Sequence, residues 1–96
     1  MSVTVESNGR IYKNGSCVGE IDGNRIYKDG SFIGEIDGNR IYKNGSFVGE
    51  FEDNGRIYKN DSFVAEYSDG RFYYNGSYDS SVNNKEEAIL YVFFDF

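Results

Sequence analysis

Evenly spaced tyrosines are the residues of this chain whose type and position could bind a ligand. They recur once per repeat of the sequence, at Tyr12, Tyr27, Tyr42 and Tyr58. Aromatic rings at a regular spacing on hairpins can stack on sugar rings or on quaternary ammonium groups. The same rings could instead fill a repeated core, because large aromatic side chains are mostly buried. The row therefore predicts either repeated packing or a glycan or small-cation site.

Acidic residues form a second row with possible chemistry. Four carboxylates recur at equivalent places, at Glu20, Glu35, Glu50 and Glu66. Paired carboxylates can perform acid–base catalysis, but a row that alternates with the lysines of the repeats is more typical of a solvated sheet face. The acidic turns around Asp22, Asp37 and Asp53 lack the spaced ligand series of a calcium loop. We therefore expect no metal site.

Nucleophilic catalysis lacks its usual residues here. The chain contains no histidine, which excludes Ser-His-Asp and Cys-His arrangements. Cys17 is the single cysteine and stands where later repeats have phenylalanine, so we expect it to fill a core position. The sequence thus predicts no enzyme and no cofactor, but a structural or protein-interaction module. The alternative is a glycan or small-cation binding module that uses the four tyrosines.

Length and charge narrow the class of protein. Ninety-six residues suit one domain, residues 1–96, and the net charge of −6 argues against nucleic acid or an anionic membrane as partner. Residues 1–6 lack the features of a secretory signal, and the apolar run 88–94 is too short to span a bilayer. We expect a cytoplasmic protein whose partner is another protein, self-association included.

A recurring Arg-Ile-Tyr-Lys block organises residues 1–79. The arginines of successive units stand 15, 15, 16 and 15 residues apart, at Arg10, Arg25, Arg40, Arg56 and Arg71. A fixed period of this length indicates repeated supersecondary units. A pair such as Asn44-Gly45 follows each block and suits a type I′ hairpin turn. The pattern predicts a mainly β fold of about five tandem antiparallel β-hairpin units, four of them complete.

The turns between units determine which side chains share a face of the sheet. Regular pairing of Tyr42 with Phe47 also pairs Ile41 with Val48. A three-residue loop at 37–39 then keeps the tyrosines, the phenylalanines and the glycines of all units on one face, where the glycines make room for the tyrosine rings. Ile41 and Val48 fall on the other face. We expect self-association through that second face, because a single short helix cannot cover both.

Residues 80–96 depart from the repeat as a linker and a terminal element. Asn84 and Glu87 have the spacing of a capping box, and no polar face follows from Ala88 onward. A helix that is apolar on all sides is surrounded by protein. A strand is the alternative, because residues 91–94 are β-prone. The capping signal favours a short helix inside the hairpin assembly.

Four complete Arg-Ile-Tyr-Lys hairpins, followed by the aromatic ending Tyr91-Val92-Phe93-Phe94-Asp95-Phe96, resemble the four-fold β-flower proteins. These are small bacterial and phage-associated chains without an assigned activity. The resemblance covers nearly the whole chain. It implies hairpins arranged as petals about a central C-terminal helix, and it assigns no activity to any residue.

Overall fold

Eleven antiparallel strands and one helix form the part of the chain that the structure, a computed structural model, describes, residues 3–96. Strands that are consecutive in the chain are neighbours in one open sheet, from the first strand to the last. The elements are β1 Val3–Val5, β2 Arg10–Lys13, β3 Ser16–Asp22, β4 Arg25–Lys28, β5 Ser31–Asp37, β6 Arg40–Lys43, β7 Ser46–Phe51, β8 Arg56–Lys59, β9 Ser62–Ser68, β10 Arg71–Tyr74, β11 Ser77–Ser81 and α1 Lys85–Phe94. The predicted β-hairpin repeats and terminal helix are therefore confirmed. No helix within residues 3–96 is long and apolar enough to cross a membrane.

Tight turns connect the two strands of each hairpin unit. In the third unit, Asn44 and Gly45 have φ angles of 52° and 84°, so both central residues are left-handed, as a type I′ turn requires. The predicted turn is confirmed there and recurs in every unit. One unit departs in composition, because Asp61 takes the second position with φ 71° where the other units have glycine.

The turns between units are shorter than the sequence predicts. Asp37 pairs with Arg40, which leaves a two-residue turn at Gly38 and Asn39. Gly38 has φ 62°, which suits the first central position of a type II′ turn. The predicted three-residue loop at 37–39 is therefore wrong, and Ile36 pairs with Ile41.

A β-bulge in each hairpin explains this difference. Tyr42 pairs with Phe47 as predicted, but Ile41 pairs with Gly49, so that Val48 is an extra residue in β7. The Val48 carbonyl accepts a hydrogen bond from the Asn60 N–H at 3.2 Å, which gives the bulged backbone a partner in the next unit. An extra residue reverses the facing of all residues beyond it. The predicted pair of Ile41 with Val48 is wrong for this reason.

The bulge places the isoleucines on the helix side of the sheet. One residue of each unit has no exposed surface there, in the series Ile11, Ile26, Ile41, Ile57 and Phe72. These side chains form a single core cluster with the helix residues. Ile41 is thus inaccessible to a second chain, and the predicted association face that contains it is wrong.

Helix α1 begins at a side-chain cap and is buried on nearly every side. The Asn84 Oδ1 atom accepts the Glu87 N–H at 3.0 Å, which confirms the predicted helix start and excludes the strand alternative. Buried residues of the helix include Ala88, Ile89, Leu90, Val92, Phe93 and Phe94. The helix ends at Asp95, which has a left-handed φ of 58° and donates its N–H to the Leu90 carbonyl. The helix therefore serves as the core of the hairpin assembly.

Glycines in the strands make room for the aromatic rings of the C-terminal segment. A Cβ atom on Gly34 would lie 2.5 Å from a ring carbon of Phe94, and one on Gly49 would lie 2.6 Å from a ring carbon of Phe93. Gly19 faces the Phe96 ring in the same way. The prediction that these glycines accommodate tyrosines is wrong, because the bulge turns them toward the helix instead.

Backbone hydrogen bonds link successive units, and the Glu87 carboxylate makes the equivalent bond between the first strand and the helix. The Ile21 N–H donates to the Gly9 carbonyl at 2.7 Å, and equivalent bonds follow in later units. Val5 holds the equivalent position in the first unit, but its N–H donates to Glu87 Oε2 at 3.0 Å. The Val5 carbonyl accepts from Asn84 Nδ2 at 3.2 Å. The first turn of α1 thus gives β1 the partners that a neighbouring unit gives the other strands.

Candidate functional site

Aromatic pairs repeat on the sheet face opposite the helix, which we call the outer face. Each pair joins the tyrosine of one strand to the ring directly across the hairpin. The ring centroids lie 5.8 Å apart for Tyr27–Phe32, 5.9 Å for Tyr42–Phe47, 5.8 Å for Tyr58–Phe63 and 5.7 Å for Tyr73–Tyr78. The Tyr58–Phe63 rings are tilted and those of the other three pairs meet edge to face. Contacts of this kind stabilise each pair.

The second ring of each pair is the one that meets water. Phe32, Phe47, Phe63 and Tyr78 are 47%, 43%, 50% and 56% exposed. The predicted site residues share this face, but they are half-buried and thus less exposed than their partners. They are Tyr12, Tyr27, Tyr42 and Tyr58. The row of tyrosines is therefore part of a wider aromatic surface, in which the phenylalanines offer the larger exposed area.

Charged residues of both signs surround these rings. Arg25 pairs with Glu35 across one hairpin and Arg40 with Glu50 across the next. The Arg25 guanidinium carbon lies 5.9 Å from the Phe32 ring centroid, within the range of a cation–π contact. The glutamates thus face arginines. The predicted alternation of glutamate with lysine on one face is wrong, because the lysines lie on the helix side.

Two lysines contact aromatic rings on the helix side of the sheet. The Lys28 ammonium lies 4.9 Å from the Phe96 ring centroid and donates to the Asp95 carbonyl at 3.4 Å. Lys85 similarly lies 5.3 Å from the Phe51 ring centroid. These cations stabilise the C-terminal segment against the sheet and leave arginine as the basic residue of the outer face.

The first unit lacks the exposed ring. Cys17 occupies that position and is itself exposed, so the prediction that it fills a core position is wrong. The reason is that this position lies opposite the tyrosine of its hairpin, on the face that the helix does not cover. A hydrogen bond with the Tyr12 side chain raises the pKa of the Arg10 guanidinium.

The outer face can bind through stacking, cation–π contacts and charge, and it offers little for bond-making chemistry. Among residues 3–96, no group of three or more acidic, cysteine or histidine side chains could hold a metal ion. Each outer-face glutamate lies opposite an arginine, as in a structural sheet pair. The exposed rings and the charges of both signs are therefore the distinctive features of this face.

Sequence reasoning missed the exposed phenylalanines because it assumed regular strands. Two signals indicate the bulge in retrospect. A glycine inside a strand often marks one, and Gly34 and Gly49 directly follow the bulged residues. The strand after each tight turn is also longer than the strand before it, seven residues in β5 against four in β4.

No protein-family model, curated protein or solved structure matches this chain. The candidate site therefore rests on its geometry.

Proposed function

We propose that this protein is a non-enzymatic structural module that associates with other protein chains through the outer face. The partner that we consider first is a second copy of the same chain. The observation that supports this proposal is the exposure of four rings at equivalent positions, Phe32, Phe47, Phe63 and Tyr78. A half-exposed aromatic side chain leaves about 100 Å² in water, so four leave about 400 Å². A patch of that size is among the largest that a monomeric protein normally exposes, and such patches are often functional.

Charge on the outer face favours a second copy as partner. Arginine and glutamate alternate across the hairpins, as in the pairs Arg25–Glu35 and Arg40–Glu50. A second copy related by a two-fold axis can place its arginines opposite the glutamates of the first and its glutamates opposite the arginines. Such a face is self-complementary, which is the requirement for a closed symmetric dimer.

Membership of the four-fold β-flower family is part of this proposal. Hairpins surround a buried C-terminal helix in this chain, and that arrangement supports the resemblance. The family resemblance supplies no activity, so the argument for association depends on the exposed rings and on the charges of the outer face.

A glycan or small-cation module built on the tyrosine row has weaker support. Its residues Tyr27, Tyr42 and Tyr58 each contact a phenylalanine ring, which limits stacking by a sugar ring. Binding through them would need the phenylalanines to form part of the platform.

Sedimentation velocity over a concentration series tests the proposal. We expect the wild-type chain, whose monomer mass is 10.9 kDa, to associate as its concentration rises. Phe47→Glu places a charge among the exposed rings, and we expect association to weaken at least tenfold. Ser46→Glu is the matched control. It introduces the same charge, but the side chain at position 46 points to the other side of β7.

The comparison of these two variants identifies the contact surface. Equal weakening by both variants would indicate a general effect of charge and would remove the outer face from the account. A wild-type chain that stays monomeric at millimolar concentration would contradict self-association outright. Unchanged circular dichroism of Phe47→Glu is the check that its fold is intact.

A further inference from the structure

A cleft separates the first two hairpin units on the outer face. Its volume is about 400 Å³, and its walls include Arg10, Cys17, Glu20, Tyr27 and Asp29. That size is in the range of small-molecule sites. We call it the unit-one cleft.

The later units show what such a position accommodates. Phe32 and Phe63 stand at the place equivalent to Cys17, and each ring has an arginine guanidinium over it, at 5.9 Å and 5.7 Å from the centroid. The first unit keeps the equivalent arginine, Arg10, but Cys17 supplies no ring beneath it. The chain thus places an arginine over a ring in two units, whereas the first unit keeps the arginine without the ring.

The charge of the cleft selects among aromatic ligands. Arg10 is the one basic residue on its walls, whereas Glu20, Asp22 and Asp29 are acidic, which leaves a formal excess of two negative charges. Asp29 is the first residue of the tight turn of the second unit. A ligand that carries a positive charge beside its ring would therefore be favoured over a neutral or anionic one.

We propose that the unit-one cleft binds an aromatic ring that carries a cationic group on a short chain, as an arylalkylamine does. The ring occupies the space that a phenylalanine side chain fills in the next unit, with the Arg10 guanidinium against its face and Tyr27 beside it. The ammonium group is directed to the carboxylates of Glu20 and Asp29. A free amine and a protein segment with adjacent aromatic and basic residues share this chemistry.

Amide chemical shifts of Val18, Gly19 and Glu20 measure the binding directly, because these residues line the cleft. The titrations use the Phe47→Glu variant as well as the wild type, so that self-association cannot cause the shifts and failure of the proposed function does not affect the result. We expect saturable shifts with phenethylamine. Hydrocinnamate, which has the same ring with a negative charge, should bind at least tenfold more weakly. Butylamine, which has no ring, should bind more weakly by a similar factor.

Two substitutions at one position test the cleft itself. Cys17→Phe supplies the missing ring, as Phe32 does in the next unit, and should abolish binding while the thermal midpoint stays the same or rises. Cys17→Ser leaves the space open and should retain binding. If Cys17→Phe does not fold, Cys17→Leu serves the same purpose with a smaller side chain.

The peptide acetyl-Phe-Lys-amide distinguishes the two sources of the ligand. Binding at least tenfold tighter than that of phenethylamine indicates a protein segment, and weaker or equal binding indicates a free amine. Three results would overturn the inference: no saturable shift with either probe, equal affinity for phenethylamine and hydrocinnamate, or unchanged binding in a folded Cys17→Phe variant.

Discussion

Replacement of Glu87 by glutamine should destabilise the protein, because this carboxylate joins the first strand to the helix. Glu87 is 2% exposed and accepts three hydrogen bonds. They come from the Val5 N–H at 3.0 Å, the Asn83 N–H at 2.9 Å and Asn83 Nδ2 at 3.3 Å. Both carboxylate oxygens are used, one by each backbone N–H.

The magnitude follows from the chemistry of the amide. Glutamine keeps one acceptor oxygen and turns an NH₂ group toward the other backbone N–H, which loses its partner in a buried place. Loss of one charge-assisted hydrogen bond with an unsatisfied donor costs about 2–3 kcal/mol. For a domain of this size, the thermal midpoint should fall by roughly 8–24 °C.

Urea unfolding and native-state hydrogen exchange measure the effect. Glu86→Gln is the matched control, since Glu86 lies in the same helical turn, carries the same charge and is only half-buried. The Val5 amide should exchange faster in Glu87→Gln than in the control. A difference in unfolding free energy below about 0.5 kcal/mol between the variants would refute the role of Glu87 in joining β1 to α1.

Three further substitutions have defined expected outcomes. Asp61→Gly should stabilise by about 0.5–1 kcal/mol in urea unfolding, because the φ of 71° strains any residue with a Cβ. Ser80→Ala should stabilise by about 1 kcal/mol, because Ser80 Oγ is buried and finds no hydrogen-bond partner within residues 3–96. Ile41→Ala should cost about 3–4 kcal/mol, whereas Phe47→Ala should cost about 1 kcal/mol, since the first side chain is fully buried and the second is 43% exposed. No gain from Asp61→Gly would contradict the turn geometry, and no gain from Ser80→Ala would contradict the burial of Ser80. Equal costs for Ile41→Ala and Phe47→Ala would contradict the assignment of faces.

Local signals in the sequence predict most of the fold. A tight turn such as that at Asn44-Gly45 requires left-handed backbone at both central residues, and few residue types tolerate that conformation. The residue types therefore indicate the position of each tight turn. The helix start at Asn84 is predictable because its cap uses a residue three positions away. Both features depend on chemistry within one turn of chain.

The facing of side chains depends on a single extra residue and could not be predicted from alternation alone. Val48 is as compatible with a regular pair as with a bulge, and the choice depends on whether Ile41 or Tyr42 packs on the helix. Helix rings that need glycine beneath them decide it, because Phe94 fits over Gly34 and would not fit over a larger residue. That contact joins distant parts of the chain, so no local pattern reveals it. The sequence consequently predicts the glycines on the face of the tyrosines, whereas the structure turns them toward the rings of the C-terminal segment.

Ring-proton chemical shifts on dilution test the central claim, that the outer face is the association surface, most directly. The chain carries its own internal control, because Phe32, Phe47 and Phe63 lie exposed on that face while Phe93 and Phe94 are buried against the sheet. We expect the ring protons of the first three residues to shift together along one dissociation curve as the protein is diluted, with those of the last two nearly constant. Shifts confined to other surfaces, or none in the exposed rings up to millimolar concentration, would contradict the claim.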